Sequence, residues 1–347
     1  MMQRGVQRSS RTAEQRVTRP IAKKPSLQAI AEQTRASWAK SVTFYDQVPE
    51  AFKDFFKTLL GNTSTWPYTV LMPTYEGFMR RENGRLICNL GDKIYVMERA
   101  RNKTTCTCYP IEDISYVEEG AVLLYAWVKI SGIASDGVPS SSTLKFNAVT
   151  DYLLAPIIEK IRPATGDLRD ADQSLELAKF DYLARLNFKF MSYGRHSILP
   201  GEKVIHTVLQ PEIREKIFTA LGWSISRIVS TAHISILTDR ELILIRDEEQ
   251  SQWSRDARYG GTRSYIPLNK ITSVSLASSE HDLLALSIHL PGDDRMVSLF
   301  STSNEQELAC LFDQLESLTP GVNEHEASQG SENQADPRTD SNRPVQL

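Results

Sequence analysis

The sequence predicts a mainly β chain with added helices: two seven-stranded, partly open barrels, each closed by a C-terminal helix, with further helices before and between them. Three observations predict it. Short alternating strands separated by tight-turn residues fill residues 67–147 and resume from 204 to 301. The two stretches can be laid on each other at a nearly constant offset. Each ends in a run of apolar residues at helical spacing. A length of 347 residues suits two compact units, and 41% hydrophobic with 24% charged residues is ordinary for a folded chain. A net charge of −3 argues against a dedicated duplex nucleic-acid binder. No apolar run approaches the roughly 18 residues a membrane-spanning helix needs.

Taken in order, residues 1–25 read as a disordered basic tail. Nine Lys/Arg stand against Glu14 and Glu32 within residues 1–40, and no apolar run suits a secretory signal. Residues 26–61 read as N-terminal helices. Leu27, Ile30, Thr34 and Trp38 share a helical face, as do Phe52, Phe55, Phe56 and Leu59, with Pro49 at the start and Gly61 at the end. Residues 66–162 form the first predicted barrel. Phe78–Arg81 and Leu86–Leu90 flank Asn83-Gly84, a hairpin signal because both central residues of a type I′ turn need positive φ. Gly91-Asp92 marks the next turn, and the closing helix carries Leu154, Ile157, Ile158 and Ile161, with Pro156 inside it or at its start. Residues 163–194 are a polar linker and one helix through Leu175, Ala178, Tyr182, Leu186 and Phe190. Residues 195–318 form the second barrel. In it Pro211–Leu221 is ambiguous, Ile228–Leu237 reads as one strand, and Leu308, Leu311, Phe312 and Leu315 close the end. Residues 319–347 read as a disordered tail.

The repeat is carried by four matches. Leu90-Gly91-Asp92-Lys93 answers Leu237-Thr238-Asp239-Arg240, and Pro110 to Ile114 answers Pro267 to Ile271. Leu123-Leu124 through Gly132 answers Leu283-Leu284 through Gly292, and the closing helices answer each other. A jump in the offset puts an insertion in the loop around Glu248–Gly261 of the second copy.

In that second copy, Leu199-Pro200-Gly201-Glu202-Lys203-Val204, Ile236 through Ile243 and Ile266-Pro267-Leu268-Asn269-Lys270-Ile271 resemble the bacterial pleckstrin-homology-like (PH-like) family, over residues 195–318. The first copy resembles it through Leu90–Lys93 and Tyr109–Ile114. The resemblance implies a seven-stranded barrel with a capping helix and implies no enzyme activity.

Signatures of chemistry are few. The sequence has no phosphate-cradling Gly-rich loop, no His-Glu-x-x-His and no Gly-x-Ser-x-Gly. Cys88, Cys106, Cys108 and Cys310 include one close pair, Cys106-x-Cys108, without a second pair to complete a zinc site, so they read as structural or incidental, in a reducing cytosol. His206, His233 and His289 read as packing residues. No catalytic residue, metal or cofactor is expected. Two clusters suit binding. Arg80, Arg81 and Arg85 surround the Asn83-Gly84 turn, where converging cations can clamp an anionic headgroup. Trp253, Arg255, Arg258, Tyr259 and Arg263 combine the residue types that anchor partners. The expected function is a non-catalytic cytoplasmic binding or scaffolding protein that holds a protein or peptide partner at a sheet edge or beside a capping helix. The alternative is peripheral attachment to the inner face of a membrane, through the basic N-terminus and the first hairpin.

Overall fold

In the computed structural model, residues 38–61, 65–76, 81–100, 103–162, 170–220, 223–247, 260–279 and 282–319 are described. The chain enters through β1 (Lys40–Ser41), then α1 (Glu50–Leu60), whose N-cap is Pro49 and whose C-cap, Gly61, has φ of 45°. Next come β2 (Tyr68–Met72), a small hairpin of β3 (Tyr75–Glu76) and β4 (Arg81–Glu82), β5 (Gly84–Leu90), β6 (Lys93–Ala100) and β7 (Lys103–Pro110). These build an antiparallel sheet in the order β1-β2-β5-β6-β7. Phe52 and Phe56 of α1 bury against Leu86, Cys88 and Met97 on its outer face. A 3₁₀ turn at Ile111–Asp113 leads to β8 (Ile114–Val122), β9 (Tyr125–Ile133) and β10 (Pro139–Asn147), and α2 (Ala155–Ile161) closes this run.

Three helical pieces follow: α3 (Asp170–Ala178), a 3₁₀ turn at Asp181–Arg185, and α4 (Phe188–Ser197). The second run then repeats the order of the first. It comprises β11 (Val204–Gln210), a hairpin of β12 (Ile213–Ala220) and β13 (Trp223–Ser230), β14 (His233–Thr238), β15 (Glu241–Asp247) and β16 (Gly261–Pro267). A 3₁₀ turn at Leu268–Lys270, β17 (Ser273–Ser279), β18 (Leu283–Leu290), β19 (Asp294–Ser301) and α5 (Glu305–Leu318) complete it. Both corners are opened by a proline in the same conformation, Pro110 at φ −59° and ψ 134°, Pro267 at φ −59° and ψ 135°. At each, the next amide donates back to a hairpin turn: Ile111 N–H to Asp92 O at 2.8 Å, Leu268 N–H to Arg240 O at 2.9 Å.

The two runs share a sheet. The last three strands of the first and four of the second form one seven-stranded sheet, β10-β9-β8-β16-β15-β14-β11. Its seam is the antiparallel pairing of Ala121–Val117 with Gly261–Tyr265. Arg263 stands opposite Glu119 there and pairs with it at 3.1 Å, and Ser264 Oγ donates to Glu118 at 3.1 Å. Gly260 keeps the seam close, since a Cβ there would stand 2.6 Å from Ala121 O. Strands β14 and β15 are buried on both faces, which explains the apolar run Leu242–Ile245 and the segment Ile234–Leu237, apolar but for the buried Ser235. One face packs on Phe180, Leu183 and Phe190 of the linking helices, and the other on β17–β19 and α5.

Several expectations are corrected. Asn83-Gly84 is no hairpin turn: Gly84 opens β5, and β4 pairs with β3, while residues 77–80 lie outside the described residues. Gly84 is selected by a close approach instead, its Cβ position lying 2.9 Å from Thr74 Oγ1. The helix predicted from Leu175 to Phe190 is broken into three, with Asn187 capping α4 through its side chain to Phe190 N–H. Ile228–Leu237 is interrupted at Thr231-Ala232, and Pro211–Leu221 resolves as strand β12. Pro156 stands in the first turn of α2. Lys40, the expected end of an N-terminal helix, lies in β1, and Trp38 and Ala39 before it are not helical; Thr319, expected to open a disordered tail, is buried; residues 1–37, 320–347 and the insertion loop through Tyr259 lie outside the described residues. The hairpin turns also superpose one residue away from the sequence match. Leu90 and Thr238 end their strands and Lys93 and Glu241 begin the next, because the corner hydrogen bonds, not the shared Asp, fix the equivalence. No closed barrel forms among the described residues.

A buried ionic cluster joins the runs. Arg162 ends α2 and is 6% exposed. Its guanidinium holds both carboxylate oxygens of Glu241, with Nε 3.2 Å from each, and donates to Ser197 O at 2.6 Å. It lies 3.5 Å from the centre of the Tyr265 ring, and Tyr265 OH donates to Glu119 at 2.6 Å. Glu202 sits 4.0 Å away, accepting from Leu199 N–H at 2.9 Å and Thr238 Oγ1 at 2.6 Å. Burial, and then the nearby Glu241 charge, push the Glu202 carboxyl up to about 7.

Two outcomes follow. Arg162→Leu strands two buried carboxylates, and urea unfolding at pH 7.5 is expected to find a loss of about 3–5 kcal/mol. The Glu202 proton is held more tightly folded than unfolded, so its contribution to stability is complete below the unfolded value and disappears as pH rises through about 7. Unfolding curves for Glu202→Gln and the parent chain should therefore diverge, by about 3 kcal/mol in favour of the variant, between pH 5 and 8.

Candidate functional site

Strand β11 is one outer edge of the seven-stranded sheet. An edge strand presents backbone groups that another chain can use, unless something covers them. A bulge between Val204 and His206 interrupts its pairing with β14 and turns Ile205 outward. Beside this edge runs a groove of about 580 Å³, within the roughly 300–1,000 Å³ of ligand-sized clefts. Its floor is β11. One wall is the broken helical linker, through Lys179, Tyr182, Leu186 and Asn187, and the other is the start of α5, through Asn304 and Glu307.

The walls are tied to the floor by polar contacts. Val204 N–H donates to Glu176 at 2.7 Å, and Lys179 Nζ donates to Val204 O at 2.7 Å, so these side chains stand where a neighbouring strand would. Tyr182 and Thr207 share a hydroxyl hydrogen bond of 2.8 Å. His206 Nε2–H donates to Glu307 O at 3.1 Å, and Asn304 Nδ2 donates to Leu209 O at 3.0 Å. Between these ties the groove exposes apolar surface: Leu186 is 66% exposed, Tyr182 48% and Ile205 38%. A water-facing cleft with an apolar centre, a polar rim and a strand edge for a floor is suited to holding an extended chain with one large apolar side chain.

The residues singled out from sequence lie elsewhere. Arg85 pairs with its cross-strand neighbour Glu98 at 3.0 Å, and Asn83 Nδ2 donates to the same carboxylate at 2.7 Å, so this guanidinium is already matched. Arg81 is in β4 opposite Glu76, and Arg80 lies outside the described residues. Trp253, Arg255, Arg258 and Tyr259 also lie outside them. Arg263 belongs to the seam, against Glu119 and 5.5 Å from the Tyr193 ring centre. The groove residues had a weak sequence signal: Leu186 and Tyr182 fit an apolar helical face, and only their exposure marks them out.

The cysteines are free thiols. Cys88 and Cys106 lie in the layer beneath α1, and burial pushes them up to about 12 and about 11, with neighbouring sulfurs adding to the effect. Among the described residues no group of three or more His, Cys, Asp or Glu is placed to hold a metal ion. Nor is any helix there long and apolar enough to cross a membrane. At pH 8, roughly a thousandth or less of Cys106 and Cys88 is thiolate, which is the reactive form. Titration with an aromatic disulfide should modify exposed Cys310 first, lose that phase in Cys310→Ser, and reach Cys88 only after urea unfolds the chain.

No protein-family model matches the chain, and no curated protein matches it.

Proposed function

We propose that this chain is a non-catalytic tandem PH-like binding protein that takes an extended peptide of a protein partner into the groove along β11. The reading as two PH-like units is supported by the order of elements. In both runs four meander strands, a proline-opened 3₁₀ corner, three further strands and a helix follow one another. It is supported also by the PGEK and LTDR segments of the resemblance. Gly201 adopts φ of 92° and puts Glu202 against Thr238, so these short motifs have a structural reason.

The observation that carries the peptide reading is the juxtaposition of exposed Tyr182, Leu186 and Ile205 with a sheet edge whose backbone is held by side chains rather than by a strand. An incoming peptide takes main-chain partners on β11 in exchange for the Glu176 and Lys179 side chains, and buries one apolar side chain between the walls. Burying such a side chain is worth roughly 1.5–3 kcal/mol, enough for a reversible contact once added to a few hydrogen bonds.

Selection of a random peptide library on the full chain tests this. Enriched peptides should carry a large apolar residue flanked by residues compatible with extended backbone, and Ile205→Glu should weaken their binding by at least about tenfold, which is 1.4 kcal/mol. Ile205 is outward-facing, so the variant should keep the parent melting temperature. Peptides that enrich but ignore Ile205→Glu and Leu186→Glu alike, or no enrichment at all, would sink the proposal.

A further inference from the structure

A second cavity, of about 340 Å³, lies at one end of the space between β14–β15 and β19 and shares no residue with the groove. Its polar lining includes three side chains that meet from three strands, with Ser230 and Thr231 beside them. His233 and Arg246 are directly opposite one another on β14 and β15. Ser298 faces them from β19, its Oγ accepting from Arg246 Nη2 at 3.2 Å. His233 is 3% exposed and Ser298 6%. Val229 and Val297 add apolar lining.

Each of the three has bonding capacity left over. Arg246 has no carboxylate within ion-pair distance among the described residues. The carboxylate that acts on it most is Glu118, already accepting from Ser264 Oγ at 3.1 Å and Trp127 Nε1 at 3.3 Å. A guanidinium stays charged in proteins and carries five N–H donors, so the site holds a fixed positive charge with more donors than the one Ser298 accepts. Ser298 uses an oxygen lone pair on Arg246, leaving its proton to give. His233 edge-stacks on Phe300 at 4.8 Å, and its Nδ1 is 3.0 Å from Thr231 O. A carbonyl can only accept, so Nδ1 carries the proton. Burial brings the ring down to about 4, with Arg246 acting in the same sense, so it is neutral near pH 7. Nε2 is then a buried lone pair without a donor, and no hydrogen bond reaches it.

We infer that this cavity binds a small phosphate-type anion bearing one protonated oxygen, its charged oxygens on Arg246 and Ser298 and its P–OH donating to His233 Nε2. Hydrogen phosphate and phosphate monoesters share that chemistry. Sulfate has the same shape and an oxyanion charge but no proton to give, so it leaves the His233 lone pair unmet and sets it against an acceptor.

The full chain is titrated calorimetrically with inorganic phosphate, sulfate and glycerol phosphate at about pH 6, near the second ionisation of a phosphate ester. Saturable phosphate binding is expected, with sulfate at least tenfold weaker. Arg246→Gln should abolish it, and Ser298→Ala should weaken it roughly tenfold while removing a single buried oxygen, which keeps the test alive if the first variant fails to fold. Sedimentation with phosphatidylcholine vesicles containing phosphatidic acid separates the two sources. Tighter binding of glycerol phosphate assigns a soluble ester, and vesicle binding displaced by free phosphate assigns a lipid headgroup. Absence of saturable binding to any of these phosphates, sulfate bound as tightly as phosphate, or a folded Arg246→Gln that binds normally overturns the inference.

Discussion

A single guanidinium, that of Arg162, is the tie on which the arrangement of the two runs depends. It ends the closing helix of the first run, takes its carboxylate from β15 of the second, and caps the linking helix through Ser197 O. A charge so deep is costly unless every group around it is matched. Here the match is made by Glu241 and the Tyr265 face, with Glu202 as a third member whose own ionisation is opposed. The three elements it joins are separated in sequence, so the contact is complete only when all three dock in this arrangement.

That tie also explains why the groove has the shape it has. The linker helices are pressed onto the outer face of β14 and β15 through Phe180, Leu183 and Phe190. Gly194 allows this, since a Cβ would come within 2.9 Å of the Phe180 ring. Having been pulled inward there, the linker leaves Tyr182 and Leu186 standing beside β11 with nothing over them. The exposed wall is a by-product of a well-buried neighbour. Rigid walls around a small apolar opening suit recognition, because little order has to be imposed on binding.

Much of the fold was legible in the residues, and the failures have physical causes. Gly91-Asp92 was readable because Gly91 needs φ of 62°, a demand only a few residues meet. Asn83-Gly84 carried the same letters for another reason, a close approach to Thr74. The linker read as one helix because Leu175, Tyr182 and Leu186 keep helical spacing; the periodicity was real, but Asn187 restarts the helix and all three side chains face water. The seam was invisible, since Glu119 and Arg263 become complementary only once the register is known. The candidate groove draws His206 to Glu307 across 101 positions of sequence, a distance no local pattern reports. His233 read as a packing residue, and it does pack, against Phe300. Its second nitrogen is the part a sequence cannot display.

The pairing of β8 with β16 carries one more implication. Two runs of strands in one chain are often separate beads, each able to be lost, shuffled or transplanted alone. Here cutting between the halves would bare a row of amides and carbonyls on both sides of the cut, with Gly260 and Gly261 leaving no side chains to shield one end of it. The two runs are therefore one structural block, and either alone would keep an open strand edge.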